Sequence, residues 1–252
     1  MMMMNSLYAN TLNEMEKLWK RRRTKGSLLL TLLVPAAAAM LLSALQTNAG
    51  VLGSLGSSLP LMMLSLFTFA PLPVVLFMAA ADSFSGEAAA RTIKLVLVRP
   101  IARTKVFASK VLAIAVYVAV LLAALWIASV ISGLFVPKAN VAGSLLESAI
   151  AYTAAFVPMM AVGLMAVFVA QCFSNTTGAM TLSLLIYAAA KLLPFVLPQV
   201  SVWSVFSYTD WHVLWIGNAV SAVKLLSSFF LLLAYCIMAY TAGWIVFDRK
   251  QW

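Results

Sequence analysis

Side chains able to do chemistry are few in this 252-residue chain, and their spacing excludes most reactions. The seven acids, Glu14, Glu16, Asp82, Glu87, Glu147, Asp210 and Asp248, all fall at or outside the ends of apolar runs. No pair of them lies within such a run to hold a metal ion or to couple an ion gradient. His212 is the chain's one histidine; with only Asp210 nearby it falls far short of a metal site and reads as a solvated loop residue. Cys172 and Cys236 have neither CxxC spacing nor a neighbouring histidine, and read as small apolar residues. The GxSxG, HExxH and GxxxxGK(S/T) patterns are absent. No catalytic, cofactor-binding or metal residue is therefore assigned, and any work the chain does needs energy from a partner.

What remains is charge. Asp82–Lys110, DSFSGEAAARTIKLVLVRPIARTKVFASK, carries six basic residues (Arg91, Lys94, Arg99, Arg103, Lys105 and Lys110) and two acids, Asp82 and Glu87. Asp82, Ser83 or Ser85 is expected to cap a helix there, with Glu87 in its favourable first turn and Ala88–Ala90 propagating it. Ala89, Ile93, Val96 and Leu97 then share one face, and Arg91 and Lys94 another. Arg99-Pro100 stops the helix, because the residue before proline is pushed out of the α region. The predicted element, Ser85–Val98, is amphipathic. Two readings of it are open: its apolar face enters a groove on another protein, or it is an interfacial helix that only anchors the chain.

The surrounding composition is that of a membrane protein: 64% hydrophobic, 10% charged, mean hydropathy +1.01. A spanning helix needs roughly 20 apolar residues, and runs of that kind lie at about 27–46, 60–81, 106–131, 146–172, 178–198 and 223–247. The net charge of +10 is unevenly spread. Lys17, Lys20, Arg21, Arg22, Arg23 and Lys25 precede the first span, the charged island joins the second and third, and Arg249 and Lys250 follow the sixth. The connections at 47–59 and 199–222 hold no Lys or Arg, so the positive-inside rule places both termini and the 82–105 connection in the cytoplasm. No basic patch has a soluble domain behind it, which excludes a nucleic-acid partner; membrane lipid is the partner expected for Arg21–Arg23.

Residues 5–25 form the other amphipathic segment. Tyr8, Leu12, Met15 and Trp19 recur at helical spacing, opposite Asn13, Glu14, Lys17 and Lys20, as in a helix lying in the membrane interface. Pro71, Pro73 and Pro158 fall near mid-membrane depth and mark either bends that improve packing or the lining of a translocation path. Lys191, inside the fifth span, either belongs to that path or snorkels and pairs with Glu147 or Asp210. Residues 199–222 are too polar to span and too aromatic for an ordinary loop; Trp203, Phe206, Tyr208, Trp211 and Trp215 suit a re-entrant or interfacial segment with an aromatic belt.

The stretch SGEAAARTIKLVLVRPIARTKVFASK resembles the first cytoplasmic loop of ABC-2 type ABC-transporter permeases, whose pattern runs approximately SGEREAGTLKLLLSRPISRTKVLLGK. Gly86, Glu87, Thr92, Leu95, Arg99, Pro100, Arg103 and Lys105 match it, while Ala89 replaces the second acid and Arg91 a glycine. NEMEKLWKRRRT before the first span and FDRK after the sixth are weaker likenesses. The resemblance implies one all-α integral membrane domain over residues 1–252 with six transmembrane helices, an N-terminal interfacial helix, a cytoplasmic coupling helix between spans two and three, and a re-entrant outer segment before span six. It implies an ATPase-coupling interface at Ser85, Gly86, Glu87, Arg91, Thr92, Ile93, Lys94, Leu97, Arg99, Pro100 and Arg103. It implies two partner ABC ATPase subunits, which bind the ATP and Mg, and a second permease, identical or paralogous. The expected location is the bacterial inner membrane, and the expected task is export of a hydrophobic or amphipathic compound such as an antibiotic, antimicrobial peptide or lipid. The reading from another class is a non-transporting scaffold or sensor that binds a cytoplasmic partner through the 82–105 loop.

Overall fold

The structure, a computed structural model, describes residues 2–49, 59–90, 102–136, 141–197, 199, 203–216 and 222–250, and the regular structure among them is helical throughout. Helix α1 (Met2–Lys20) bends at Arg21 into α2 (Arg22–Ala49). Two short helices follow, α3 (Leu59–Phe69) and α4 (Pro71–Ala81), and α4 runs on through a π turn, Asp82–Gly86, into α5 (Glu87–Ala89). Three long helices come next: α6 (Arg103–Leu134), α7 (Val141–Gln171) and α8 (Thr176–Val196). Two 3₁₀ turns, Val205–Tyr208 and Trp211–Trp215, lead towards α9 (Ala222–Arg249).

Six stretches are long and apolar enough to cross a membrane: Arg22–Ala44, Pro71–Ala89, Arg103–Leu134, Gly143–Gln171, Thr176–Val196 and Val223–Arg249. They match the runs expected from the sequence except the second. There 60–81 is not one helix, because Pro71 and Pro73 remove two backbone donors in succession and Ala70 leaves the helical region at φ −142°. A carbonyl freed this way must find another donor where water is scarce. The carbonyl of Phe69, which Pro73 cannot reach, accepts the hydroxyl of Tyr187 from α8. By contrast, Pro35, Pro158 and Pro194 sit inside unbroken helices.

The centre of the bundle is α4, α6 and α7. In Pro71–Ala89 and Gly143–Gln171, 61% of the apolar window is buried, against 17% in Thr176–Val196 and Val223–Arg249, so the last two spans face outward. Lipid tails are as apolar as leucine, so packing and interhelical hydrogen bonds hold such helices together. Ser129 of α6 is fully buried at a close crossing, where Tyr152 of α7 donates to Ser129 Oγ at 3.3 Å and to the Pro60 carbonyl at 2.9 Å.

The apolar stripe of α1 is divided. Tyr8, Leu12 and Trp19 are exposed, whereas Met15 packs partly against the core and Glu14 and Leu18 are buried, the helix lying against α6. The edge that meets protein thus carries Glu14 and Lys17 as well as Met15 and Leu18.

Candidate functional site

The charged edge of α1 closes over a buried cluster of four ions. Lys110 of α6 has a side chain with 0% exposure, and its ammonium has three donors to place. It gives one to Glu14 at 2.7 Å, one to Glu87 at 2.7 Å and one to the Ser83 carbonyl within the π turn at 3.2 Å. Lys17 closes the ring, 2.7 Å from Glu14 and 3.4 Å from Glu87. Two positive and two negative charges therefore balance, which is the condition for keeping ions away from water. Burial alone would raise the Glu14 carboxyl; the attraction and hydrogen bonds of Lys110 and Lys17 outweigh it and hold the group below its ordinary value. For Lys17, burial works downward, and the two carboxylates prevail to raise it. Glu87 lies close to the end of a helix, where a negative charge is unfavourable, so its two ammonium partners keep it in place.

A second set of contacts gathers other helix ends here. Asp82 accepts a hydrogen bond from Arg23 at 3.1 Å and forms an ion pair with Arg21 at 3.3 Å, tying the bend between α1 and α2 to the π turn. Ser85 is fully buried and donates to the Ala170 carbonyl at 2.6 Å, near the end of α7. Gly86 lies so close to α8 that a Cβ would stand 3.1 Å from Thr176 Oγ1. Phe84, Phe107 and Phe247 form one ring cluster with centroids 5.7 to 6.3 Å apart, joining the turn to α6 and α9. Arg103 donates to the Asp248 carbonyl at 2.6 Å, and Lys250 to that of Gln171 at 2.7 Å. The basic segments that lie far apart in sequence therefore share one end of the bundle.

This arrangement corrects several expectations. No helix starts at Asp82–Ser85, and none of these side chains caps one; the α4 helix simply continues, and Asp82 binds arginines instead. Ser85 and Glu87, expected on a docking face, point into the protein. Gly86 serves a close helix approach, and Arg103 opens α6 as an exposed residue. Arg91, Thr92, Ile93, Lys94, Leu97, Arg99 and Pro100, and most of the Ser85–Val98 helix, lie outside the described residues. Sequence reasoning missed the Glu14–Lys110 and Lys17–Glu87 pairs. Lys110 sits inside the predicted third run, and a lysine one turn into an apolar span is itself the signal of a buried partner.

At the opposite end Lys191 makes no ion pair within 4 Å to Glu147 or Asp210 among the described residues, although the negative charge of Asp210 lies close enough to act on it. It donates to Thr209 Oγ1 at 2.6 Å and lies 5.2 Å from the Phe69 ring centroid and 5.8 Å from that of Tyr187. His212 is fully buried rather than solvated, with Nε2 3.2 Å from Ser65 Oγ. Burial lowers its pKa more than Asp210 and Thr209 raise it. The expected aromatic belt divides: Trp203 and Trp215 are exposed, but Phe206 packs on Tyr187 and Trp211 on Phe229. Two apolar grooves of about 480 and 450 Å³ flank Thr153 of α7, lined by Trp126, Tyr152 and Phe156 on one side and by Val157, Trp211 and Phe229 on the other. A wider cavity of about 760 Å³ lies beside α3, with Ser65 and Asp210 on its wall. Pro71, Pro73, Pro158 and Lys191 line none of these three, and only the Pro71 break and Lys191 come near one another, through Phe69 and Tyr187.

The described residues thus define a multi-pass helical membrane protein whose charged segments meet at one end, and they place no three acids, cysteines or histidines to hold a metal ion. Residues 12–191 match the family described as ABC-2 family transporter protein, and the chain belongs to that family. No curated protein matches the chain. Membership makes it a membrane component of an ABC transporter, not itself catalytic, that associates with ABC ATPase subunits.

Proposed function

We propose that this chain is the permease subunit of a bacterial inner-membrane ABC exporter, with both termini and the 82–105 loop in the cytoplasm. Two partner ATPases supply ATP hydrolysis, with Mg, and dock on the loop. Two permease copies, identical or paralogous, form the path between them. The loop stretch from Arg91 to Arg103 meets the ATPase, while Ser85, Gly86 and Glu87 work from behind as positioning residues. The observation that carries this is the neutral ion cluster: Lys110 holds Glu14 of the helix that precedes the first span and Glu87 at 2.7 Å each, and Lys17 of that helix lies 3.4 Å from Glu87. A push on the loop is then passed to α1, α4 and α6 as one body rather than absorbed locally. The apolar grooves beside α7 suit a hydrophobic or amphipathic cargo.

The test is co-purification with the partner ATPase and its ATP turnover in the assembled transporter. Arg99→Ala should weaken association, because it removes a docking cation. Glu87→Gln should leave association intact and lower transport per ATP hydrolysed. Association unaffected by Arg99→Ala and Arg91→Ala, together with unchanged transport per ATP hydrolysed in Glu87→Gln, would refute the coupling role.

A further inference from the structure

The bend between α1 and α2 carries more positive charge than its one acidic partner can occupy. Arg21 and Arg23 converge on Asp82, yet their side chains keep 29% and 55% of their exposure, and Asp82 keeps 15%. Arg22 and Lys25, on the same turn, are exposed. Trp19 and Leu12 are exposed on the adjoining helix. Indole rings favour headgroup depth, so these side chains set the bend at the boundary where lipid phosphates lie. A guanidinium grips a phosphate with the same fork of N–H donors it offers a carboxylate. Asp82 therefore occupies Arg21 and Arg23 in the way a phosphodiester would, and it sits at the root of the 82–105 loop.

We propose that the Arg21–Lys25 bend is a seat for an anionic phospholipid headgroup, and that the lipid phosphate and Asp82 compete for Arg21 and Arg23. With lipid bound, the arginines turn to the membrane and the bend between α1 and α2 is released from the π turn; the buried cluster at Glu87 and Lys110 stays closed. Lipid composition then sets how tightly that bend is held to the turn that leads into the loop. The regulatory consequence rests on the permease reading above, but the binding site does not.

The test uses the purified full chain in phosphatidylcholine nanodiscs doped with spin-labelled phosphatidylglycerol, with bound label read by electron paramagnetic resonance. Each cation near a membrane surface contributes on the order of a fivefold change in affinity for acidic lipid. Asp82→Asn should raise phosphatidylglycerol affinity about fivefold, and Arg21→Gln with Arg23→Gln should lower it more than tenfold. If that pair fails to fold, Arg22→Gln with Lys25→Gln, both surface changes, should still lower it severalfold. Lys224→Gln, at the other end of α9, should have no effect. Unchanged affinity in Asp82→Asn would overturn the competition. Equal displacement of the label by soluble glycerol phosphate would show a free-phosphate site and overturn the lipid assignment. Because no ATPase is present, none of these outcomes depends on whether the loop couples to one.

Discussion

Lys110→Met tests the buried cluster most sharply. The substitution keeps the volume of an unbranched side chain and deletes one ammonium whose three hydrogen bonds are all made inside the protein. What remains is two carboxylates, with side-chain exposures of 8% and 9%, facing Lys17 as the surviving cation of the four. Removing one partner from a buried pair costs about 3–5 kcal/mol, because the stranded charge keeps its desolvation penalty. Lys17→Met removes a cation that is 35% exposed and screened by water, and is expected to cost about 1 kcal/mol or less. The assay is reversible unfolding in mixed micelles over a denaturing-detergent titration, reading the midpoint for wild type, Lys110→Met and Lys17→Met. A triple variant, Glu14→Gln, Glu87→Gln and Lys110→Met, should recover more than half of the loss by removing the stranded charges. Equal small shifts for Lys110→Met and Lys17→Met, or a triple variant worse than the single, would refute the view that a balanced buried cluster holds α1, α5 and α6 together.

Other outcomes follow from the same contacts. The part of the stability that Glu14 contributes should be fully present at neutral pH and lost as pH falls through its depressed pKa, below the ordinary 4.5; the part from Lys17 should persist below 10.5 and be lost as pH rises through its raised pKa. Unfolding midpoints of wild type and Glu14→Gln across the acid range check the first, since their difference should shrink there. Gly86→Ala should cost about 1–3 kcal/mol through contact with Thr176 Oγ1, and Thr176→Ala should relieve it in a double-mutant cycle. Tyr187→Phe leaves the Phe69 carbonyl without its donor at the break between α3 and α4 and should cost about 1–2 kcal/mol in the same unfolding assay.

Much of the architecture was legible because a spanning helix writes itself as an unbroken apolar run, and the positions of Pro71 and Pro73 announced trouble in the second. Their outcome, a break rather than a bend, was not legible, since it depends on Tyr187 reaching the Phe69 carbonyl from another span. The coupling stretch shows a subtler limit. Ser85, Gly86 and Glu87 have the residue types of a helix start, but tertiary contacts to Ala170, Thr176 and Lys110 carry the α4 helix straight through them. In α1, periodicity placed Tyr8, Leu12, Met15 and Trp19 on one stripe, yet only Tyr8, Leu12 and Trp19 stay exposed, while Met15 packs inward beside Glu14 and Leu18 because Lys110 draws Glu14 in. Lys110 was hidden by its company, an ammonium among apolar neighbours whose two acid partners lie 96 and 23 residues away in sequence. His212 was misread for the opposite reason, because its polar loop gave no hint that the 3₁₀ turn folds under Ser65.

The loop's role in receiving the ATPase is tested most directly by photocrosslinking. A photoreactive amino acid replacing Leu97, with Trp215 at the opposite end of the bundle as control, is irradiated in the assembled transporter. A covalent adduct to the ATPase from position 97 and none from position 215 is the result expected. Capture from neither position, or from position 215 alone, would contradict the assignment.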